Sequence, residues 1–449
     1  MDHTSIDRVR NILQACSNQP KALIKTFGCQ MNAHDSEKIT GLLHDMGYAD
    51  AGDEREADLI IFNTCCVREN AENRLYGNLG QLRPLKERNP HLTIVLCGCM
   101  MQQDAVIEKI KKTYRQADVI FGTYNLFHLP DLLLAHLETG KQIIDVWAEP
   151  GDWQEDLPQA RALPFMASVN IMYGCDNHCT YCIVPHVRGP ERSRPEAEIL
   201  DEVKRQAAAG VREVLLLGQN VNSYQGRDGG FPGLLERVSR VGGLCRVRFM
   251  TSHPKDCSDE LLRVMAENPV ICRQLHLPIQ SGSNAVLKRM NRRYSREDYL
   301  ALLGRARAAL PGVSVTTDII VGFPGEMEED FEDTLDIVRR VRFNGAYTFM
   351  YSKRLGTPAA SMPEQVPERA ASERFQRLLA VVNPILYENN QRLIGKVEPV
   401  LAETWDQGIL TGRTGGGALV HFAGDAGGVG EILPVTITGC KSFYLQGVL

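Results

Sequence analysis

The sequence predicts an α/β protein of about three domains: a parallel-sheet domain, a partial (β/α) barrel and a small OB-like β-barrel. Three observations lead to this prediction. Short apolar runs alternate with helical patterns over residues 21–125, and the alternation returns over residues 165–385. Residues 391–449 are rich in glycine and contain short stretches of alternating polarity, which is typical of strands in a small closed barrel.

The first domain is expected over residues 21–146, as an α/β fold of the flavodoxin-like kind with a mostly parallel sheet. Each predicted strand is a short apolar run between helical patterns, which indicates a buried strand. These runs are residues 22–26, 58–63, 92–96 and 118–121.

Three cysteines come where these strands end: Cys29, Cys65 and Cys99. Open α/β sheets bind ligands at the carboxyl ends of their strands, so the three thiols could meet and hold an iron–sulfur cluster with one iron left unfilled. The alternative is three unrelated core thiols. Cys66 and Cys97 each lie within two residues of one of these positions. We interpret both as spare, because neighbours in a strand point to opposite faces and Cys97 sits inside an apolar run.

Residues 147–164 are acidic and rich in proline, and they are expected to link the first domain to a central domain over residues 165–386. Apolar runs again alternate with helical patterns in the central domain, which predicts a partial (β/α) barrel. Its predicted strands are residues 167–172, 213–217, 245–250, 274–277, 314–321 and 347–350. The small barrel is expected over residues 387–449, with predicted strands at residues 399–403, 408–413, 419–422 and 433–437.

Cys175, Cys179 and Cys182 form a C-x3-C-x2-C triplet directly after the first predicted barrel strand. A 4Fe-4S cluster normally takes four thiolates, so a set of three leaves one iron open. The amino and carboxylate groups of S-adenosylmethionine could chelate that iron, which would make these cysteines catalytic in radical chemistry. The alternative is a structural zinc site completed by His178.

Polar side chains follow the later barrel strands, where barrel enzymes carry their reactive groups. Amide and hydroxyl groups there could bind a polar cofactor, and a late aspartate could accept hydrogen bonds from ribose hydroxyls. The alternative for each is a simple turn residue. The candidate cofactor-binding residues, including a tyrosine inside the triplet, are Tyr181, Gln219, Asn220, Gln280, Ser281 and Asp318.

The composition excludes a globally basic nucleic-acid binder, because the formal net charge is -5 and phosphate contacts are made by Lys and Arg. Any contact with nucleic acid must depend on a local patch. The nearest patch contains Arg188 and Arg194, although a solvated loop is an alternative use of these side chains.

The 13 cysteines are an odd number, which disfavours a disulfide framework and favours metal ligands or reactive thiols. No apolar run reaches the roughly 18 residues that a membrane-spanning helix needs. The first residues also lack the apolar stretch of a signal peptide. We therefore expect a cytoplasmic protein without a membrane segment.

Taken together, these motifs resemble the radical S-adenosylmethionine methylthiotransferases over nearly the whole chain. Residues 28–32 (GCQMN), 63–65 (NTC) and 67–69 (VRE) are similar to the branch that modifies dimethylallyladenosine in tRNA, rather than to the branches that modify threonylcarbamoyladenosine or a ribosomal protein. The last segment resembles a TRAM domain. The barrel motifs that carry the resemblance are residues 174–182 with Arg188-Gly and Ser193-Arg-Pro, residues 217–221, residues 277–282 and residues 318–326.

The resemblance implies an activity: radical insertion of a methylthio group at carbon 2 of N(6)-dimethylallyl (isopentenyl) adenosine at position 37 of certain tRNAs. It also implies two 4Fe-4S clusters, one on Cys175, Cys179 and Cys182 and an auxiliary one on Cys29, Cys65 and Cys99. The anticodon loop is single-stranded, so its base can be splayed out and stacked. We further expect S-adenosylmethionine as cofactor, a flavodoxin or ferredoxin system as electron donor, and a monomer.

Three other interpretations remain open at this point. The substrate could be a different tRNA adenosine, of the threonylcarbamoyl type, or a ribosomal protein. More remotely, the chain could be a non-catalytic iron–sulfur sensor that binds RNA. A sensor would need neither an open cluster iron nor polar loops after the barrel strands, and the sequence contains both features.

Overall fold

The computed structural model describes residues 3–15, 19–66, 69–151 and 155–449, which form two compact units. The first unit comprises residues 1–162, 173–176 and 183–192, and the second comprises the remainder of the chain. Residues 67–68 of the VRE motif and residues 152–154 of the predicted linker lie outside the described residues. Within the described ranges, no helix is long and apolar enough to cross a membrane.

The first unit is built on a parallel sheet whose strands alternate with helices, as predicted. The strand order is β2-β1-β3-β4-β5-β6 and every pair is parallel, which is the flavodoxin-like order with one strand added. The elements are α1 (His3–Gln14), β1 (Lys21–Thr26), α2 (Gln30–Asp45), β2 (Ala49–Asp50), β3 (Leu59–Thr64), α3 (Glu69–Arg88), β4 (Thr93–Gly98), α4 (Asp104–Thr113), β5 (Val119–Phe121), α5 (Leu129–Thr139) and β6 (Ile143–Asp145).

Strand β3 shows why the apolar runs are continuous. Every residue of β3 is buried, and its side chains alternate between two hydrophobic clusters. Leu59 and Ile61 pack on one face of the sheet, whereas Ile60 and Phe62 pack on the other. A parallel sheet that is covered by helices on both faces needs apolar residues at successive positions.

The predicted linker is packed against α2 where it is described. Lys38 pairs with Glu155 at 2.5 Å, and the two side chains are only 4% and 9% exposed. The backbone N–H of Ala160 donates to the carbonyl of Glu37 at 3.0 Å. A Cβ added at Gly41 would lie 2.4 Å from the carbonyl oxygen of Pro158, so α2 needs a glycine at this contact. Part of the acidic segment therefore belongs to the first unit.

The central part of the chain forms a partial barrel of parallel strands, which confirms the prediction. Its two sheets, β11-β10-β7 and β12-β13-β14, are joined by a bridge between Val247 and Ile271. The elements are β7 (Met166–Asn170), β8 (Met172–Tyr173), α6 (Val184–Arg188, part of the first unit), β9 (Arg192–Ser193), α7 (Glu196–Ala208), β10 (Glu213–Leu217), α8 (Gly230–Ser239), β11 (Arg246–Phe249), α9 (Asp259–Glu267), β12 (Gln274–His276), α10 (Asn284–Arg289), α11 (Arg296–Ala309), β13 (Ser314–Val321), α12 (Glu328–Val341), β14 (Gly345–Met350) and α13 (Glu368–Gln391).

The last segment is a closed barrel in the order β15-β16-β17-β19-β18, which confirms the predicted small barrel. Four of its strands match predicted runs, and the fifth does not. That strand is only four residues long and contains Gly447, so it lacks a clear alternating signal. The strands are β15 (Val397–Asp406), β16 (Ile409–Thr414), β17 (Leu419–Ala423), β18 (Ile432–Cys440) and β19 (Leu445–Val448).

Two arginines of β11 join the central barrel to the small barrel. Arg246 donates to the backbone carbonyl of Arg413 at 2.8 Å. Arg248 donates to the carbonyls of Thr414 at 2.6 Å and Gly415 at 3.1 Å. The acceptors are all main-chain oxygens, and both guanidinium groups are largely buried.

Candidate functional site

The three strand-end cysteines lie at one edge of the parallel sheet in the first unit. Cys29 is the N-cap residue of α2, Cys65 follows β3 directly, and Cys99 follows β4. Because β1, β3 and β4 are adjacent and parallel, their carboxyl ends meet at the same edge. Cys65 and Cys99 are buried there, and Cys29 is exposed.

Gly28 brings the loop after β1 into contact with Cys65. Its φ of 113° lies in the region that favours glycine. A Cβ added at Gly28 would lie 2.7 Å from Cys65 Sγ and 2.5 Å from Cys65 Cβ. The glycine that precedes Cys29 therefore permits the approach of two of the predicted ligand loops.

Cys99 is held by the loop after β3. The backbone N–H of Cys66 donates to Cys99 Sγ at 3.2 Å, and the Cys99 thiol donates to the carbonyl of Thr64 at 3.5 Å. The pKa of Cys99 is well above its ordinary value: a hydrogen bond with Cys65 lowers it, but a hydrogen bond with Cys66 and burial raise it more.

The two neighbouring cysteines have different surroundings. Cys97 packs on the sheet face opposite to Cys99. Residues two apart in a strand would share a face, but β4 ends at Gly98, so the alternation does not extend to Cys99. Cys66, however, shares a hydrophobic cluster with Cys65 and Cys99. The alternation does not apply to it because β3 ends at Thr64. The structure thus places a fourth thiol beside the predicted auxiliary set.

Arg188 and Arg194, the predicted tRNA contacts, are both buried. Arg188 is 6% exposed and its Nη2 lies 3.0 Å from Asp35 Oδ2. Arg194 pairs with Glu202 at 2.9 Å. The pKa of Arg188 is raised overall. Burial lowers it, but the negative charges of Asp35 and of the thiols of Cys99 and Cys29 raise it by a larger amount. These carboxylate partners favour a structural role, and a contact with tRNA stays a prediction.

The C-x3-C-x2-C triplet lies on a loop without regular structure between β8 and α6. In the first unit, the backbone N–H of Cys175 donates to the carbonyl of Gly189 at 3.2 Å. In the second unit, the N–H of Cys182 donates to the carbonyl of Cys179 at 2.9 Å, which makes a tight turn. The carbonyl of His178 accepts a hydrogen bond from Asn291 Nδ2 at 3.0 Å.

Among the residues that the structure describes, no three His, Cys, Asp or Glu side chains are arranged to hold a single metal ion. A cluster of several iron atoms is wider than one ion, so its ligands lie farther apart. The two ligand sets stay predictions that rest on their thiol chemistry and on the loops that carry them.

Sequence reasoning missed Arg292, a buried neighbour of the triplet. Its Nη1 lies 3.4 Å from Cys179 Sγ, and its Nη2 donates to the carbonyl of Pro278 at 2.9 Å. Its Nε donates to the hydroxyl of Tyr294 at 2.8 Å. Arg292 was visible in the sequence as the third basic residue of the run Lys288–Arg293. Its approach to Cys179 was not visible, because the two residues are 113 positions apart.

Several of the predicted cofactor-binding residues make hydrogen bonds within the loops that carry them. Asn220 accepts from the backbone N–H of His253 at 2.9 Å and donates to Asp256 Oδ2 at 2.8 Å. Ser281 accepts from the N–H of Ser283 at 3.2 Å. Gln280 has a φ of 70° and connects β12 to β13 through backbone hydrogen bonds. These contacts position the loops, and binding of a cofactor by the same side chains stays a prediction.

The other predicted cofactor residues lie around the barrel strands of the second unit. Asp318 is partly exposed, and one of its oxygens lies 3.5 Å from His276 Nε2. The ring of His276 meets that of Tyr347, which is half exposed. Tyr181 packs edge-on against Phe323, with ring centroids 6.4 Å apart. Gln219 lies half buried in the loop after β10.

Glu326, at the end of the Gly-Phe-Pro-Gly-Glu motif, holds the turn after β13. Its carboxylate accepts from the N–H of Gly322 at 2.9 Å and from Arg374 at 2.8 Å. Burial raises the pKa of Glu326, and these two partners oppose that shift. Glu326 therefore stabilises the barrel loop that follows β13.

A half barrel that carries a C-x3-C-x2-C loop after its first strand is the architecture of radical S-adenosylmethionine enzymes, and residues 169–338 match the Radical SAM superfamily. Residues 21–122 match the uncharacterized protein family UPF0004, and residues 391–449 match the TRAM domain. The chain belongs to the family of tRNA-2-methylthio-N(6)-dimethylallyladenosine synthases, which confirms the resemblance seen in the sequence.

Two relatives illustrate the match. The tRNA-2-methylthio-N(6)-dimethylallyladenosine synthase of Lachnoclostridium phytofermentans is 52% identical over 430 residues, which cover 94% of this chain and 94% of that protein. The enzyme of the same name from Clostridium tetani is 48% identical over 450 residues, covering 98% and 99%.

Among solved structures, the radical S-adenosylmethionine methyltransferase TsrM from Kitasatospora setae superposes with a TM-score of 0.54 at 15% identity, covering 87% of this chain and 79% of that one. The cobalamin-dependent radical enzyme OxsB gives a TM-score of 0.52 at 14% identity, covering 81% and 55%. At this identity the two structures support the fold alone.

Proposed function

We propose that this chain is a tRNA methylthiotransferase, which replaces the hydrogen on carbon 2 of N(6)-dimethylallyladenosine at tRNA position 37 with a methylthio group. The observation that carries the proposal is the presence of two separate cysteine sets in a chain that matches the named synthases over nearly its full length. One set lies at a sheet edge, and the other follows the first barrel strand.

The reaction explains why the chain needs radical chemistry. Carbon 2 of adenine carries an unactivated hydrogen, which a side-chain acid or base cannot exchange for sulfur. Cys175, Cys179 and Cys182 would hold one 4Fe-4S cluster and leave one iron for S-adenosylmethionine. When bound, these groups supply the one-electron chemistry that removes such a hydrogen atom.

Cys29, Cys65 and Cys99 would hold a second 4Fe-4S cluster, at which the sulfur to be transferred would be held and would receive its methyl group from one molecule of S-adenosylmethionine. The donor set fits such a group, because it consists of thiols on the adjacent carboxyl ends of three parallel strands. The glycine before Cys29 and the glycine before Cys99 both have positive φ, so the loops turn sharply at the sheet edge.

The barrel loops would bind and orient the cofactor. The partly exposed Asp318 carboxylate is suited to accept hydrogen bonds from ribose hydroxyls. Tyr181, Gln219, Gln280 and Ser281 would contribute nearby, while Asn220 keeps the adjoining loop in place.

The remaining parts of the proposal concern partners. The substrate base lies in the single-stranded anticodon loop, where it can be splayed out and stacked. The TRAM domain would contribute RNA contacts, since small OB-like barrels often bind RNA. A flavodoxin or ferredoxin system would deliver electrons, and the enzyme would act as a cytoplasmic monomer.

The test is a reconstitution under anaerobic conditions. The protein receives iron, sulfide, a reductant, S-adenosylmethionine and tRNA that carries isopentenyladenosine, and the digested nucleosides are analysed by mass spectrometry. We expect a methylthio derivative of isopentenyladenosine. Unprenylated tRNA serves as the matched control and should give no product.

Other outcomes separate the competing interpretations. Formation of 5′-deoxyadenosine without a methylthio nucleoside would keep the radical enzyme but reject this substrate. A product only with threonylcarbamoyladenosine tRNA, or only with a ribosomal protein, would select one of the alternative substrates. A protein that binds iron and RNA without cleaving S-adenosylmethionine would be a sensor.

A further inference from the structure

The amide of Asn32 connects two of the loops at the cysteine-bearing edge. Its Nδ2 donates to the backbone carbonyl of Phe27 and to that of Thr64, each at 2.8 Å. Its Oδ1 lies 3.9 Å from Cys29 Sγ, and the residue is fully buried. One side chain therefore joins the loop that carries Cys29 to the end of β3, where Cys65 follows.

Asn63, near the end of β3, makes further hydrogen bonds at the same edge of the sheet. Its Nδ2 donates to the backbone carbonyl of Asn32 at 2.8 Å and to Ser36 Oγ at 3.0 Å. A Cβ added at Gly98 would lie 2.5 Å from Asn63 Oδ1, so the loop that carries Cys99 packs on this amide as well. The two asparagines thus contact all three cysteine-bearing loops.

Arg188 contacts the same network from the segment that follows Cys182 in the sequence. Its Nη2 donates to Asn32 Oδ1 at 2.9 Å and to Asp35 Oδ2 at 3.0 Å. Its charge also interacts with the thiols of Cys99 and Cys29. A buried guanidinium is therefore anchored by one carboxylate and donates to the amide oxygen that lies 3.9 Å from Cys29 Sγ.

The buried positive charge of Arg188 is stabilising only where negative charge lies nearby. Three thiolates and a bound cluster bring several negative charges to a largely buried edge, and buried charges are costly unless they are compensated. Asp35 alone would already neutralise Arg188. The additional hydrogen bond to Asn32 Oδ1, an oxygen that lies 3.9 Å from Cys29 Sγ, directs the guanidinium toward the ligand set.

We propose that Asn32 and Arg188 are positioning residues of the auxiliary cluster site: Asn32 fixes the spacing of the ligand loops, and Arg188 supplies the counter-charge to the thiolates. The inference rests on the proposed function, because it takes Cys29, Cys65 and Cys99 as cluster ligands.

The experiment isolates the auxiliary site. In a chain with Cys175, Cys179 and Cys182 replaced by Ala, iron and acid-labile sulfide can be retained only elsewhere. Asn32→Asp, Arg188→Gln and Arg188→Lys are each introduced into this background. After anaerobic reconstitution, iron per chain is measured by colorimetric assay during challenge with a chelator, together with the electron paramagnetic resonance signal of the reduced protein.

Loss of a residue that orients metal ligands typically weakens metal retention about 10–100-fold. We expect that range for Asn32→Asp, which keeps the size of the side chain but loses both amide donations and adds a negative charge. Arg188→Gln should fall in the same range. Arg188→Lys should retain clearly more iron than Arg188→Gln, because it keeps the charge.

Lys38→Gln is the matched control. Lys38 lies on α2, as Asn32 does, and forms an ion pair that is equally buried. It contacts Glu155 rather than the cysteine loops, so its loss should leave iron retention at the level of the parent. Circular dichroism checks the fold of each variant, and Asn32→Asp decides the comparison if an Arg188 variant fails to fold.

The outcomes distinguish the inference from the function on which it rests. Equal iron retention in the parent background, Asn32→Asp and Arg188→Gln would overturn the inference and leave the auxiliary cluster intact. A parent background that retains no iron would overturn both. A loss in Lys38→Gln as large as that in Arg188→Gln would show general destabilisation and would also overturn the inference.

Discussion

Glu213 and Arg248 form an ion pair in the second unit, with Arg248 Nε 2.8 Å from Glu213 Oε1 and side chains that are 4% and 11% exposed. Arg246 is a more distant partner of the same carboxylate, at 3.7 Å. We predict that Arg248→Met lowers the free energy of unfolding by about 3 kcal/mol, because removing the nearer partner of a buried pair leaves Glu213 with only the more distant Arg246. Urea denaturation followed by circular dichroism measures this.

An exposed pair provides the control for that prediction. Arg83 and Glu87 lie on α3 with side chains 73% and 66% exposed. Arg83→Gln should change the free energy of unfolding by less than about 0.5 kcal/mol, since exposed ion pairs contribute little. Similar losses for the Arg83 and Arg248 variants would show that burial does not set the energy of these pairs.

Gly28→Ala should disrupt the auxiliary site. The new Cβ would lie 2.7 Å from Cys65 Sγ, and φ is 113°, so the loop must shift away from Cys65. We expect a loss of iron in the chain that lacks the C-x3-C-x2-C cysteines. Gly80→Ala, within α3 and with open space around its Cβ, should instead stabilise the protein by about 0.5–1 kcal/mol.

The two cysteine sets should fail in different ways. Cys175→Ala is expected to abolish cleavage of S-adenosylmethionine. Cys99→Ala should keep cleavage and lose methylthio transfer, because Cys99 is predicted to serve only the auxiliary cluster. Quantifying 5′-deoxyadenosine and modified nucleoside in the same reaction tests this, and a folded Cys99→Ala protein without cleavage would contradict the division of roles.

His253 should make the second unit sensitive to acid. Burial, followed by the charges of Arg292 and Lys255, lowers the pKa of His253 to about 2. Its Nδ1 accepts the N–H of Lys255 at 3.2 Å, which requires an unprotonated nitrogen. Below the unfolded pKa of about 6.5 the unfolded chain takes up a proton that the folded chain does not, so stability falls by about 1.4 kcal/mol per pH unit.

The measurement compares urea midpoints between pH 6.5 and pH 5, a window of about one and a half units below the unfolded pKa. His253→Asn removes the titrating group and keeps an acceptor for the Lys255 N–H, so its stability should depend less on pH than that of the parent chain. His44→Asn is the control, because the His44 and Asp50 pair is exposed. A His253→Asn slope equal to that of the parent would reject the prediction.

The fold could be predicted from the sequence because apolar periodicity is local information. The run in β3 and the alternation of elements up to α13 are visible without knowledge of any distant contact. The candidate ligand cysteines were also visible, since they follow predicted strands. By contrast, β19 was missed because a four-residue strand that contains a glycine carries too weak a pattern.

The partners of the site residues could not be predicted, because they come from elsewhere in the chain. Arg188 was interpreted as exposed from its own loop, yet its carboxylate partner is Asp35, 153 positions away. Asn220 resembled a cofactor ligand, and its side chain binds the loop at His253. The position of Cys66 depended on where β3 ends, which is the least certain part of any strand assignment.

The contacts of Arg246 and Arg248 with the small barrel affect which substitutions that barrel can tolerate. Arg246 and Arg248 bind main-chain oxygens of the small barrel, and every amino acid presents the same oxygen. Outward-facing side chains of that barrel can therefore change without loosening these two arginine anchors, whereas Glu431, which pairs with Arg212, is an attachment that depends on its side chain. Grafting a small barrel from another chain onto this enzyme should succeed when the backbone path at Pro399 and residues 413–415 and the acidic partner of Arg212 are preserved, with other outer-face side chains free to differ.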